Sequence, residues 1–572
     1  MSDEWTKDGR SASPDAVTRR NLLKGAAALT VTGPALAALL SGDRRAYAQA
    51  IDCLGLPPEA LEQDLTLTAA YAASPPALDE IAFTMETENL LALTYGGDLV
   101  QYNPVYSEQY GMCVADMAAP GDESVTGRWA ESWESSPDGL VWTFRIRPGI
   151  RSWAGNELTA EDIKWTWERG FEMRSVRYFF STVMFLDSPD AIEAVDRYTV
   201  RFTSSAPSTN FLKLMAMNYY GGPFDSTEAK KHATASDPFA KEWLKSNDAG
   251  FGPYHVVRHV PGQEMALERN PHYEPRPPVG RILIRIVPDP ATRMALLQRG
   301  VVDYAMRLPE RNLQTLERDP NVQVIRYVAN FIPYVGPVQT NEIMAKPAVR
   351  RAMAYAVPYE EILEKVYFGQ GTIIKSITPA IFPNYTDEFW PYHLDLDRAK
   401  EMLSEAGYPD GFDLTLSYDN SISEMAEAAV LIKATFDAVG IRTSLDPLPA
   451  AVYSERKARR ELMCQVDNFQ WPWVADTGYT SWVYLANPDR NIQNSVYFNN
   501  PEFNELVTNM MRTPYGAERD AMDRRAQQIC GEEVPWIYLV NPGWREALRA
   551  GWTNFHWNPD NNVHFHWLYK KA

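Results

Sequence analysis

The alternation of apolar and polar positions carries most of the structural signal in this chain. In "GLVWTFRIRPGI", Val141, Thr143 and Arg145 alternate with Trp142, Phe144 and Ile146. That is the two-residue period of a strand buried on one face. It stops at Pro148-Gly149, a turn dipeptide. The next stretch, "TAEDIKWTWERGF", changes period. Thr159 is suited to an N-cap, Glu161 and Asp162 occupy the first turn, and Ile163, Trp167 and Phe171 recur at helical spacing. Further along, "AVRRAMAYAVPYEEILEKVYFG" predicts two short helices broken at Pro358. "LDRAKEMLSEAGYPDGFDLTLSYD" predicts a helix ending at Gly407, a turn, and the strand Phe412–Tyr418. "EMAEAAVLIKATFDAVGIRTSLDPL" repeats that order, with Gly440 closing the helix. Strands alternating with helices, without an internal repeat, predict an α/β architecture.

Composition narrows the class. The 572 residues are 45% hydrophobic and 23% charged, and 55 basic against 74 acidic residues give a formal charge of −19. Such an acidic balance argues against nucleic acid, whose phosphates are met by Lys and Arg. Beyond the N-terminus no apolar run reaches the length of a spanning helix.

The first 50 residues have another character. "TRRNLLK" places Arg19-Arg20 before an apolar stretch, Gly25 to Leu40, and two small-x-small cleavage candidates follow at Ala46–Ala48 and Ala48–Ala50. This reads as an export signal of twin-arginine type, separate from the mature fold. The four cysteines, Cys53, Cys113, Cys464 and Cys530, form no Cys-x-x-Cys motif. Export permits disulfides, but the spacing leaves their connectivity open. "AIDC" lacks the small residue expected before a lipidated cysteine.

Near the C-terminal third, "QWPWVADTGY" sets Trp471 and Trp473 beside one acid, Asp476. A carboxylate among large rings would be costly in a core, and the rings would be out of place on a plain surface.

Several stretches together resemble the large dipeptide- and oligopeptide-binding proteins of ATP-driven importers, the extracellular solute-binding protein family 5. "WAESWESSPDGLVWTFRIRPGIRSWAGNELTAEDIKWTWER" (Trp129–Arg169), "GFGPYHVVRHVPGQEMALERNPHY" (Gly250–Tyr273), "PAVRRAMAYAVPYEEILEKVYFGQG" and "AKEMLSEAGYPDG" carry the likeness, which spans roughly residues 65 to 570. The stretch "YSEQYGMCVADMAAPGDESVTG" departs from it, being longer than usual and carrying Cys113. The resemblance implies a two-lobed periplasmic-binding-protein type II fold of the large class, with an extra subdomain and hinge closure. It places residues 51–95, 221–330 and 543–572 in a discontinuous first lobe, 96–220 in its inserted subdomain and 331–542 in the second lobe, after the signal 1–50. It implies a periplasmic, exported monomer with permease and ATPase partners, the twin-arginine translocase serving export.

Peptide-binding members hold the ligand's ammonium with the acid of a Trp-x-x-Asp motif, matched here by Trp473-Val474-Ala475-Asp476. The resemblance therefore nominates Asp476 and Trp473, with Trp471 and Tyr479 beside them, and Glu86, Thr87 and Tyr95 on the first-lobe wall. For Tyr95 a core role competes. The ligand expected is a small peptide or a related amino-bearing solute. An oligosaccharide or opine-like solute is the alternative, since 17 tryptophans could supply sugar platforms. His556, His564 and His566 could hold a metal, His564 and His566 being two apart on one strand face, but the resemblance maps the segment to the end of the first lobe, away from the cleft, where surface or hydrogen-bonded histidines are expected. No metal or cofactor is assigned. The absence of Gly-x-Ser-x-Gly, His-Glu-x-x-His and phosphate-loop motifs speaks against an enzyme.

Overall fold

The computed structural model describes residue 53 and residues 55–571, apart from 82–84, 120, 218–221, 468–470, 490 and 492, and only the backbone of 85–88. The export segment, Gln470 and the side chains of Glu86 and Thr87 lie outside the described residues.

Three sheets organise the molecule. The first has seven strands in the spatial order Tyr254–Val260, Glu264–Arg269, Val279–Ile286, Leu65–Tyr71, Tyr304–Ala305, Trp544–Arg549 and Val322–Tyr327. It joins the early chain to its end: Leu65–Tyr71 runs parallel to Val279–Ile286, and Trp544–Arg549 antiparallel to Val322–Tyr327. A second, antiparallel sheet comprises Ala130–Ser135, Val141–Ile146, Thr199–Thr203 and Ile192–Asp196. The third has five strands, Ile441–Leu448, Phe412–Asp419, Cys464–Asp467, Tyr334–Pro337 and Ile537–Tyr538. Among the described residues no helix is long and apolar enough to cross a membrane.

The predicted local elements form for the predicted reasons. In Val141–Ile146, Trp142, Phe144 and Ile146 are buried while their neighbours face outward. The helix Ala160–Met173 begins at Thr159, whose N–H and Oγ1 both donate to the Asp162 carboxylate at 2.8 Å, closing the first turn. Pro358 separates the helices Pro347–Tyr355 and Tyr359–Lys365. The helices Leu396–Glu405 and Ser423–Ala438 each feed a strand, Phe412–Asp419 and Ile441–Leu448, which pair in parallel from their first residues. Two glycines permit that start. A Cβ on Gly411 would stand 1.7 Å from the Gly440 carbonyl oxygen, and both residues have positive φ (70° and 91°).

A buried ionic cluster fastens the helix Ala160–Met173 to the rest of the fold. Arg169 grips Asp79 with two hydrogen bonds of 2.9 and 2.5 Å. Arg177 reaches Glu80 at 3.3 Å and Asp98 at 3.4 Å, and Ser175 donates to Glu80 at 2.8 Å. All five charged side chains are sealed from solvent.

Cys53 and Cys113 form a disulfide, whereas Cys464 and Cys530 are buried free thiols. Cys113 lies on Met112–Ala115, inside the stretch that departs from the family pattern. That strand pairs antiparallel with Pro104–Ser107 and parallel with His556–Trp557, placing Cys113 opposite His556.

Candidate functional site: a cleft wall and the network behind it

The helix Thr477–Tyr484 is capped by Asp476, whose Oδ1 accepts from the Tyr479 N–H at 2.6 Å. Asp476 does more than cap. Oδ1 also accepts from Asn210 Nδ2 at 3.2 Å, while Oδ2 accepts from Tyr515 Oη and Arg519 Nη2, both at 2.5 Å. Arg519 turns its Nε to Asp523 at 2.8 Å. Lys213 enters from the other side, donating to the Ala475 carbonyl at 2.8 Å and to Tyr515 Oη at 3.0 Å. Two acids and two bases thus share one buried cluster.

The electrostatics follow from that balance. Burial alone pushes the Asp476 carboxyl up, but Arg519 and then Lys213 outweigh it and hold the group below the usual aspartate range. Burial pushes the Lys213 ammonium down to about 8, with Asp476 only partly offsetting it. Asp523 is pushed up to about 6 by burial, against the pull of Arg519.

Trp473, half-buried, faces a small cavity of about 30 Å³ together with Gln101, Tyr102, Arg128, Met217, Trp567 and the segment 556–564. Tyr102 braces the tryptophan's loop, its hydroxyl donating to the Trp473 carbonyl and accepting from the Ala475 N–H, both at 3.3 Å. The Trp473 ring stands edge-on to Phe180 at 6.2 Å.

Among the nominated residues whose side chains are described, Trp473 lines the cavity. Asp476 sits behind it with both oxygens engaged, so the structure corrects the expectation of a carboxylate waiting in the cleft: here it holds the loop that carries Trp473. Trp471 is buried against Phe331, with ring centres 5.6 Å apart. Tyr479 is fully buried in the helix core. Tyr95 packs on Phe224 at 4.6 Å and accepts from the Ala249 N–H at 3.2 Å, which is the core role.

The histidines require the opposite correction. They are not on the surface, although His564 is hydrogen-bonded to Asp560 as expected, and two of them lie at the cavity. His556, His564 and His566 are all buried, and His556 and His564 line the cavity opposite Trp473. His564 and His566 do not share a strand, because Phe565–Trp567 is a 3₁₀ turn. The missing signal was tertiary: the pairing of His556 with Cys113, and hydrogen bonds such as Asn330 Nδ2 to the Pro559 carbonyl, bring the chain end to the cavity. Among the described residues, no three His, Cys, Asp or Glu side chains are grouped to hold a metal ion.

Burial, and then His564, depress the His556 imidazole to about 3. His556 therefore stays neutral in the folded protein, while the unfolded chain takes up a proton below about pH 6.5. Stability should fall as pH drops from about 6.5 towards 3. In His556→Gln that fall should be shallower, as urea midpoints at pH 7 and 4.5 would show. Parallel profiles for the two proteins would contradict the assignment.

The cavity is walled by segments from distant parts of the chain, residues 101–104, 128, 216–217, 473 and 556–567. Residues 124–490 match the model of the bacterial extracellular solute-binding proteins, family 5. That is more than half of the chain, and the protein belongs to this family. It is 29% identical over 446 residues to heme-binding protein A of Haemophilus influenzae, covering 74% of this chain and 80% of the relative. Di/tripeptide-binding protein 2 of Pseudomonas aeruginosa is 26% identical over 467 residues, 77% of this chain and 86% of that one. Among solved structures, the periplasmic binding protein DppA of Helicobacter pylori in complex with the peptide STSA superposes with a TM-score of 0.76 at 22% identity, covering 90% of this chain and 99% of that one. The fold is accordingly the mixed α/β fold of the periplasmic binding proteins.

Proposed function

We propose that the protein is the solute-capturing component of an ATP-driven importer, and that its solute is a short peptide or a related amino-bearing compound. The observation that carries the reading is the position of Trp473. This ring of the Trp-x-x-Asp motif faces a cavity whose other walls come from residues 101–128 and 556–567. The space, about 30 Å³, has room for about two waters. A whole solute therefore enters only with the walls apart, which fits capture by two lobes closing on a hinge. The names of the relatives, one di/tripeptide-binding, support the solute class.

In this reading residues 51–95, 221–330 and 543–572 form one lobe with 96–220 inserted, and 331–542 form the other. Trp473 touches the solute, and Asp476 holds its loop. The filled, closed form docks on a membrane permease served by ATPase subunits. Arg19-Arg20 direct export to the periplasm by the twin-arginine route, so replacing both by lysine should leave precursor in the cytoplasm, as fractionation would reveal.

The decisive experiment is a thermal-shift screen of di- to pentapeptides against oligosaccharides, with mass spectrometry of whatever co-purifies. Peptides should raise the melting temperature saturably, and Trp473→Ala should abolish the shift. Stabilisation by sugars alone would reject the peptide reading.

A further inference from the structure

A second contact, outside the cavity, joins two distant parts of the chain. The short helix Phe211–Met215 follows the four-stranded sheet. It lies against residues 475–519, which follow the strand Cys464–Asp467 of the five-stranded sheet. Most of this contact is well matched. The Thr209 N–H and Oγ1 both donate to the Met511 carbonyl at 3.2 Å, and Asn210 Nδ2 donates to Asp476 at 3.2 Å.

Lys213 is the exception. It is 1% exposed, and the acceptors its ammonium meets are neutral: the Ala475 carbonyl at 2.8 Å and the Tyr515 hydroxyl at 3.0 Å. Both lie across the contact, so parting the two sides would return the ammonium to water. The acids behind them are turned to Arg519, which donates to Asp476 Oδ2 at 2.5 Å and to Asp523 Oδ1 at 2.8 Å. Asp476, Asp122 and Asp523 attract Lys213, and Arg519 repels it. On the neighbouring elements, Tyr102 spends its hydroxyl on the Trp473 carbonyl and the Ala475 N–H, and Glu123 is exposed. An ammonium taken from water to neutral acceptors beside another cation is penalised. Burial accordingly outweighs the acids and pushes Lys213 down to about 8.

We infer that Lys213 is a counterweight to closure: its charge, buried each time the two sides meet, keeps the solute-free protein from closing on an empty cavity. The inference rests on the reading that capture closes two lobes, residues 96–220 riding with one and 331–542 forming the other, and it adds what resists that motion. Lys213 is not among the residues lining the cavity, so it acts on the closing equilibrium and not by touching the solute. The pH dependence has a definite sign. Below about pH 8 Lys213 is charged in both forms, and closing bears the full penalty. From there to about pH 10.4, the ordinary lysine value, closing expels the proton and becomes easier as pH rises.

Small-angle scattering of the purified, solute-free protein tests this, beside Lys213→Met and Lys213→Arg. At about pH 7 Lys213→Met should be more compact than the unaltered protein. Raising the pH to about 9.5 should compact the unaltered protein and leave both variants as they were, since arginine keeps its charge. In calorimetry with di- to pentapeptides, each peptide that binds should bind about 10-fold tighter to Lys213→Met, because more of the free protein is ready to close. A Lys213→Met radius equal to or larger than that of the unaltered protein would overturn the inference. If that variant fails to fold, the pH response of the unaltered protein against Lys213→Arg decides, and identical responses overturn it. Peptides that bind and compact the unaltered protein, with Lys213→Met matching it throughout, would overturn the counterweight and leave peptide capture intact. Compaction in Lys213→Met without binding of any peptide would uphold the counterweight and reject the peptide.

Discussion

Asp476→Ala should lower the stability of the ligand-free protein by about 3–5 kcal/mol, the usual cost of removing one partner of a buried ion pair. The reason lies in what remains. Arg519 and Lys213 stay buried with Asp523 and Asp122 left to balance them, and the Tyr515 hydroxyl, the Asn210 amide and the Tyr479 N–H lose their shared acceptor. Replacing both charges, Asp476→Leu with Arg519→Met, should recover much of the loss, since an apolar pair avoids the desolvation that both ions bear. Urea titrations of the two singles and the double yield the coupling directly. The opposite outcome is equally informative. If Asp476→Asn leaves the midpoint unmoved yet selectively weakens peptides with a free N terminus over N-acetylated ones, the carboxylate belongs to the ligand and not to the loop.

Arg169→Met should have an effect of similar size, about 3–5 kcal/mol. Asp79 would then be a sealed carboxylate without its two hydrogen bonds, 2.9 and 2.5 Å in the intact protein, beside Glu80. Arg169→Lys should recover less than half of it, because an ammonium cannot reproduce the fork that meets both Asp79 oxygens. A melting curve of Arg169→Met within about 1 kcal/mol of the original would show that Arg177 alone can neutralise the cluster.

These two networks also mark where the sequence stops being legible. Elements set by local chemistry could be read: the Thr159 cap with Asp162, the break at Pro358, and the glycine closing Ser423–Ala438. Each depends on residues within a few positions of one another. The cavity depends on residues hundreds of positions apart. Trp473 was legible because its motif is local. Arg128 was not, and His556 was singled out without its place at the cavity, because chain segments hundreds of residues apart meet there. The same distance hid the true surroundings of Asp476. Its spacing from Trp473 pointed towards a ligand, yet Asn210 and Arg519, 266 and 43 residues away, occupy its oxygens. Asp79, Glu80 and Arg169 fared likewise: each alone looks like an exposed charge.

The two free thiols have a practical consequence. Cys464 lies on a strand of the five-stranded sheet, and Cys530 on the helix Ala517–Glu533 that also carries Arg519 and Asp523. Burial pushes both thiols up, so neither offers a thiolate at neutral pH while the fold is intact. The disulfide-bonded pair is silent to alkylation. Attachment of a thiol reagent therefore counts openings of the five-stranded sheet and of the helix Ala517–Glu533, and its rate under native conditions is an intrinsic clock for those openings, with no label engineered into the chain.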